Sequence, residues 1–515
     1  MNNRKIAFSL LFILLAYLCI GTGFATDDYL LLVHNQNWEL KQLLRLGIDD
    51  GSYVHNLLYN APFYYFYFTQ LYIFQDQYIF YDIVKILILM LCIILVYKFS
   101  KDFMSEIQAI IFSVIFILYP IHDAANYQPI SLFYLITPAL SMYAFHLINS
   151  GKLYAGSLIG FLGSFFSYAS PPYMFGLSVI FGLRKEYKKL TLFLFPIIVY
   201  IAYYFIVTDI FNLFQLRTGF LNQPTAIIRH YLLQLGTFFD VAIGPSLWIK
   251  LVLSIGSLTI TSFIIGILLT YLAARYVKIQ NVFIKNELFI SALTVMLLSL
   301  GMFSLTGLYP QMTFNLGNRV TTFGCLLLSL IIIRFLLNNR YCATLVLSLV
   351  IFSVLGISDH WKEWHNSKKR IINNISENVD LNNLSIESQL FVSYNHYSKI
   401  KTMNHIEFFP DVPNVRAIFK LATGKDYNVS PLNNRFYFDG HRIVDKKLGD
   451  QYFVGEFINI YDSENDELLT VSKKNITEYL TNLPMDYRHW IQLLDKENLI
   501  RKMVLKLMPR LEYIL

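Results

Sequence analysis

Eleven apolar runs, set apart by charged or aromatic segments, divide the first 357 residues of this 515-residue chain and leave few options for its fold. A bilayer core takes roughly 20 helical residues to cross, and backbone polar groups inside it must be satisfied within the segment. The runs fall at 6–25, 83–97, 107–118, 130–148, 154–169, 172–183, 189–208, 247–274, 288–306, 320–337 and 341–357. With 55% hydrophobic and only 15% charged residues, the chain is too apolar for a soluble protein of this length. The expected fold is a polytopic α-helical membrane domain over 1–357, with about eleven spans, followed by an extracytoplasmic α+β domain over 358–515. The first run is long, lacks a small-x-small cleavage site and leads into further spans, so it is read as a retained anchor.

Basic residues next to spans gather on the cytoplasmic side. Arg4 with Lys5, Lys98 with Lys101, Lys152, Arg184 with Lys185, Lys188 and Lys189, Arg275 with Lys278 and Lys285, and Arg334 with Arg340 fall on alternate loops. The opposite loops carry Asp27, Asp28, Asp49, Asp50, Asp76, Asp123, Asp209 and Asp240, with only Lys85, Arg217 and Lys250 scattered near them. This predicts a cytoplasmic amino terminus and an outward tail, in a multi-pass protein of a bacterial-type inner membrane. The formal charge of +7 is accordingly a topology signal, and no nucleic-acid partner is expected.

Four outward segments hold candidate chemistry. Thr26-Asp27-Asp28-Tyr29 follows the first run at once, and two acids that close to hydrocarbon must snorkel, pair, serve a site or cap a solvated helix end. The loop that follows runs from Asn35 to about Tyr81, through Trp38, Arg45 and the aromatic string Pro62–Phe68, and reads as interfacial helices. Tyr119-Pro120-Ile121-His122-Asp123 leads to Tyr127 in a second loop. His122 and Asp123 either orient a substrate or metal or form a capped turn. Between Asp209 and Pro245, Ile227, Ile228, Leu232, Leu233 and Leu235 with Arg229 and His230 suggest an amphipathic helix on the membrane, a candidate lid. The segment from Leu308 and Tyr309 ends at Arg319, a lone arginine opening a span, either a phosphate contact or a snorkelling anchor.

Cys19, Cys92, Cys325 and Cys342 all sit in apolar runs without metal-ligand spacing, and no Gly-rich phosphate loop, HExxH or GxSxG motif is present. Past residue 357, Trp361 and Trp364 mark the expected membrane exit. A strand near Gln389–Ser393, a helix near Val415–Leu421 and a meander through Phe436–Phe438, Phe453–Tyr461 and Leu468–Val471 follow. The acidic string Asp462–Glu467 lacks the glycine of an EF-hand loop and reads as a hairpin tip.

The order of these parts resembles the GT-C class of membrane glycosyltransferases, which draw sugars from polyprenyl-phosphate or polyprenyl-diphosphate carriers. The resemblance rests on Asp27 and Asp28 directly after the first span, a long first outer loop, Asp123 in the second, a helical late loop and a soluble outward tail. It implies transfer of a sugar from the carrier lipid to a cell-envelope glycan, lipid or protein acceptor. Asp28, or its neighbour Asp27, would be the general base, and Arg319, with Arg229 and His230, would hold the lipid phosphate. His122, Asp123 and Tyr127 would contact substrate. The class's fuller acidic motif in the second loop is reduced here to one aspartate, so divalent-metal use is left open and no other cofactor is expected. Two other readings stay open: a lipid or glycan transporter, which would show intramembrane charges along a path, and an O-antigen-type polymerase relying on outer-loop arginines.

Overall fold

A computed structural model describes residues 2–36, 38–44, 60–210, 224–276, 284–307, 310–336, 339–446, 449–509 and 511–514. Arg45, Asp49, Asp50, Arg217, Lys278, Leu308 and Tyr309 of the readings above lie outside the described residues. The chain divides into two compact units: Met1–Ile20 with Trp38–Thr313 and Gly317–Asp359, and Gly21–Asn37 with Phe314–Leu316 and His360–Leu515.

The first unit is helical. Among the described residues six helices are long and apolar enough to cross a membrane: Tyr78–Ser100, Pro129–Asn149, Tyr187–Val207, Asn286–Thr306, Leu316–Phe335 and Tyr341–Glu377. A seventh candidate is the pair Thr225–Ala242 and Pro245–Ile255, bent by 41°. Five more apolar helices, Ala7–Cys19, Glu106–Ile117, Leu153–Phe166, Ser170–Leu183 and Ile260–Arg275, are shorter than a straight crossing requires. Pro129–Asn149 and Leu316–Phe335 are each 78% buried, whereas Tyr187–Val207 is 28% buried. The first two therefore form the centre of the unit, and the third turns Phe195, Ile198, Phe205 and Ile206 outward, as a lipid-facing helix does.

Small residues let helix backbones approach closely. A Cβ at Gly176 would sit 2.3 Å from Val295 Cγ2 and 2.9 Å from the Val295 nitrogen, so helices Ser170–Leu183 and Asn286–Thr306 meet almost backbone to backbone. A polar seam closes one end of these helices. Arg184 grips Glu287 through two nitrogens and donates to Asn149 Oδ1 at 3.0 Å, and Asn149 Nδ2 donates to Asp102 Oδ2 at 3.0 Å. His146 Nδ1 meets the same Asp102 oxygen at 3.0 Å.

The run expected to be one span at 247–274 is two helices, Pro245–Ile255 and Ile260–Tyr276. The break has its cause elsewhere in the chain. The Thr259 amide and hydroxyl both donate to Asp359 Oδ2 at 2.8 Å, which satisfies the start of a new helix in place of the old one's continuation. The residues expected to rest on the membrane as a surface helix, around Arg229, form the first limb of the bent pair.

The second unit holds the strands. β1 (Leu390–Ser393), β4 (Val429–Pro431) and β8 (Phe457–Asp462) lie parallel, with β9 (Glu467–Ser472) antiparallel, in the order β4-β1-β8-β9. Beside them are the hairpin β2 (Tyr397–Ile400) and β3 (Met403–Glu407) and the three-stranded β5 (Phe436–Phe438), β6 (Arg442–Asp445) and β7 (Gln451–Phe453). The expected meander stands for β5, β6 and β7, which pair antiparallel in sequence order, whereas the strand expected over Phe453–Tyr461 divides between β7 and β8, and β8 joins the parallel strands. Between β3 and β4 runs the helix Val412–Thr423, capped by the Asp411 carboxylate on the Asn414 amide at 3.1 Å and ended by Gly424 at φ 71°. A helical connection of that length is what parallel strands need. β1 is buried along its whole length, and Phe391, Leu432, Phe436, Ile443, Ile460 and Leu480 form a core around it.

The acidic string is a hairpin tip between β8 and β9: Asp462 Oδ1 accepts from the Glu464 and Asn465 amides at 2.9 and 3.0 Å. Trp361 and Trp364, expected at the membrane exit, are buried in the second unit. Trp361 lies edge-on to His405 and Trp364 edge-on to Phe408.

Candidate functional site

Within the second unit, the acidic pair opens a short helix. Gly21 at φ 90° and Gly23 at φ 59° end the preceding helical course, and Thr26–Asn35 begins after Ala25. Asp28 is the third residue of that helix, and its Oδ2 accepts from the Ala25 amide at 2.8 Å, a cap reaching back to an orphan donor. The first turn of a helix favours a carboxylate, so the position has a structural reason independent of any chemistry. Asp28 is buried; Asp27, on the adjacent face, is half-buried.

The helix is fastened on several sides. Thr26 Oγ1 donates to the Glu407 carbonyl at 2.6 Å, and Tyr29 lies edge-on to Phe24 and Phe408. Buried Lys368 donates to the Phe24 carbonyl and holds its ammonium 5.8 Å from the Tyr29 ring centre. Gly23 is required twice over, because a Cβ there would fall 2.0 Å from His365 Nδ1. Glu407 also accepts from Asn315 Nδ2 at 2.7 Å, and Arg488 lies 3.9 Å from the same carboxylate while stacking at 4.3 Å over Tyr397.

Within the first unit, the second-loop candidates are buried around Asp123. Lys250, from the second limb of the bent pair, forms an ion pair with Asp123, and the two side chains are 0% and 2% exposed. The same ammonium donates to the carbonyls of Ile121, at 3.2 Å, and Thr313. Asn318 Nδ2 donates to Asp123 Oδ1 at 2.6 Å, and Asn318 Oδ1 accepts from the Ala124 amide at 3.1 Å. Three segments distant in sequence are thereby tied at one acid.

The next residue repeats the link. Arg319 Nη1 donates to Gln128 Oε1 at 3.3 Å and to Ser131 Oγ at 3.1 Å, with its guanidinium 6.0 Å from the Tyr134 ring centre. Arg319 keeps some exposure, and a planar guanidinium suits phosphate oxygens. His122 is buried with Nε2 3.0 Å from the Phe116 carbonyl, so Nε2 carries the proton; desolvation holds its pKa down at about 4, and the ring is neutral near pH 7. Tyr127 is buried, and its carbonyl accepts from Lys85 Nζ at 3.1 Å. Lys85 in turn pairs with Asp82 at 2.6 Å, one helical turn before it.

Arg229 and His230 differ in exposure. Adjacent positions on the helix Pro224–Ala242 point about 100° apart, and Arg229 is exposed while His230 is buried. Among the described residues no group of three or more His, Cys, Asp or Glu side chains is arranged to hold a metal ion.

Lys250, Asn318 and the Asp82–Lys85 pair escaped the sequence reading. The signal was present for two of them, since a lysine three residues into an apolar run, or an acid and a base at i and i+3 opening one, is costly unless paired. Asn318 had no such signal. No protein-family model, curated protein or solved structure matches the chain.

Proposed function

We propose that the chain is a membrane glycosyltransferase of GT-C build that transfers a sugar from a polyprenyl-phosphate carrier to a cell-envelope glycan, lipid or protein acceptor on the outer face. The observation that carries this reading is the double tie between the second outer loop and the 318–319 turn: Asn318 on Asp123, and Arg319 on Gln128 and Ser131. It fixes a phosphate-matching cation, Arg319, against the loop that carries Asp123, at loops such a reaction would use. The proposed topology has eleven spans, the amino terminus in the cytoplasm and the strand-bearing unit outside; the six or seven helices long and apolar enough to cross are compatible with a membrane protein.

In the reaction, an acceptor hydroxyl attacks the anomeric carbon as the bond from that carbon to the phosphate oxygen breaks. The hydroxyl proton passes to a carboxylate, assigned to Asp28 or Asp27, and the carrier phosphate leaves with its negative charge met by Arg319. His122, Asp123 and Tyr127 support the loop from within, and His230 and Arg229 are secondary candidates for the lipid headgroup.

A lipid or glycan transporter is the second reading, favoured by the buried pairs Lys250–Asp123 and Asp82–Lys85. Surface glycans from a deletion strain separate the two when the strain is complemented with Asp28→Asn, Asp27→Asn or Arg319→Ala. A transferase loses one sugar residue in the deletion and in the carboxylate variant that removes the base. A transporter tolerates both carboxylate changes. Loss with Arg319→Ala alone points to a polymerase.

A further inference from the structure

The helix Leu499–Leu507, near the end of the second unit, has none of its nine residues buried. Leu499, Ile500, Met503 and Leu507 are 71%, 53%, 56% and 78% exposed. At about 100° per residue these four fall within one arc of roughly 100°. Lys502 and Lys506 border that arc on one side, both exposed, and Lys502 also forms an ion pair with the exposed Glu497. The opposite face is tied down, since Arg501 Nη1 donates to the Leu494 carbonyl at 2.7 Å and Asn498 caps the helix through the Ile500 amide at 2.9 Å. The orientation of the strip is thus set by the unit itself, and an apolar strip presented this way marks a surface meant to be covered.

We infer that this face lies on an anionic lipid surface. An apolar strip bordered by lysines is the pattern of helices that rest in the interface, with apolar side chains among the acyl chains and ammonium groups at the phosphates. The lysines decide between occupants. A second copy laid antiparallel on the same strip would bring Lys502 and Lys506 against their own kind, whereas anionic headgroups complement Lys506 and compete with Glu497 for Lys502. The same chain supplies helices apolar enough to place it in a membrane, so the surface is at hand. The inference is independent of the reaction proposed above.

The test uses the full chain in lipid nanodiscs, with Cys342→Ser because Cys342 is the exposed cysteine and Cys19, Cys92 and Cys325 are buried. A nitroxide is attached at Met503→Cys or Leu507→Cys, with Asp495→Cys, exposed and ahead of the helix, as a control that leaves the Lys502–Glu497 pair intact. Collisions with oxygen and with a water-soluble nickel chelate are then compared. In discs containing phosphatidylglycerol, the oxygen-to-nickel ratio at 503 and 507 should exceed that at 495 several-fold. It should fall toward the control with Lys502→Glu plus Lys506→Glu, or in phosphatidylcholine alone. Equal ratios at 503, 507 and 495 in both lipids would overturn the inference, and so would immersion that ignores both lipid charge and the lysine changes. Spin–spin broadening that grows with chains per disc would assign the face to a second copy instead, and would overturn it too.

Discussion

The Lys250 ammonium and the Asp123 carboxylate form an ion pair with both side chains shut away from solvent, and Asn318 donates to the same carboxylate oxygen. Two buried charges persist only when each remains matched, so removing one partner leaves the other uncompensated.

Lys250→Met should therefore destabilise the first unit by about 3–5 kcal/mol, and Lys250→Met with Asp123→Leu should recover most of that loss. Thermal unfolding in a fixed detergent measures both. Equal stability of the single and double variants would show that the pair is not matched as described.

Asp28 caps its helix and is also the candidate base of the proposed reaction, and the two can be separated. Asparagine keeps an oxygen to accept from the Ala25 amide, so Asp28→Asn should preserve the fold while removing the base, lowering turnover by about 10²- to 10⁴-fold if Asp28 is that base. Asp28→Ala should add a stability loss of about 0.5–2 kcal/mol from the missing cap. Activity and melting measured on both variants separate charge from cap.

Gly23→Ala should destabilise the second unit, because the new Cβ meets the His365 ring and the backbone sits at φ 59°. Shortening the ring with His365→Ala should relieve the clash only in part, since the backbone cost persists. Complete rescue would mean that the steric contact alone sets the requirement.

His122 supplies a pH dependence with a definite sign. Its folded pKa, near 4, lies below the ordinary 6.5, so between those values the unfolded chain binds the proton more readily and stability falls as pH drops from 6.5 toward 4. Below 4 both states are protonated and this contribution levels off. His122→Gln should flatten that part of the stability profile, measured by melting temperature against pH.

How far these features could be read beforehand depended on their range along the chain. Several apolar runs, such as 83–97, 130–148 and 288–306, each fall within one helix, and the hairpin tip at Asp462 and the helix expected near Val415–Leu421 are also local patterns that stand where the residues place them. Features set by distant partners were not legible. The division of 247–274 comes from Asp359, a hundred residues away, and the burial of Trp361 comes from packing beside His405. Parallel pairing of β1 with β4 and β8 is likewise a choice among distant strands that alternation alone does not specify. At the candidate site, Asp27, Asp28, Asp123 and Arg319 stood out as charges beside apolar runs, but the residues that hold Asp123 were hidden: Lys250 looked like a stray loop cation and Asn318 like any neutral residue.

The central claim, sugar transfer dependent on an acid just after the first span, is tested most directly by mass spectrometry of envelope glycans. Cells expressing Asp28→Asn, Asp27→Asn or the unaltered chain at equal levels in a deletion background provide the comparison. The account predicts one sugar residue missing from the deletion strain and from at least one of the two variants, and present with the unaltered chain. An unchanged glycan profile in the deletion strain and in both variants would contradict it.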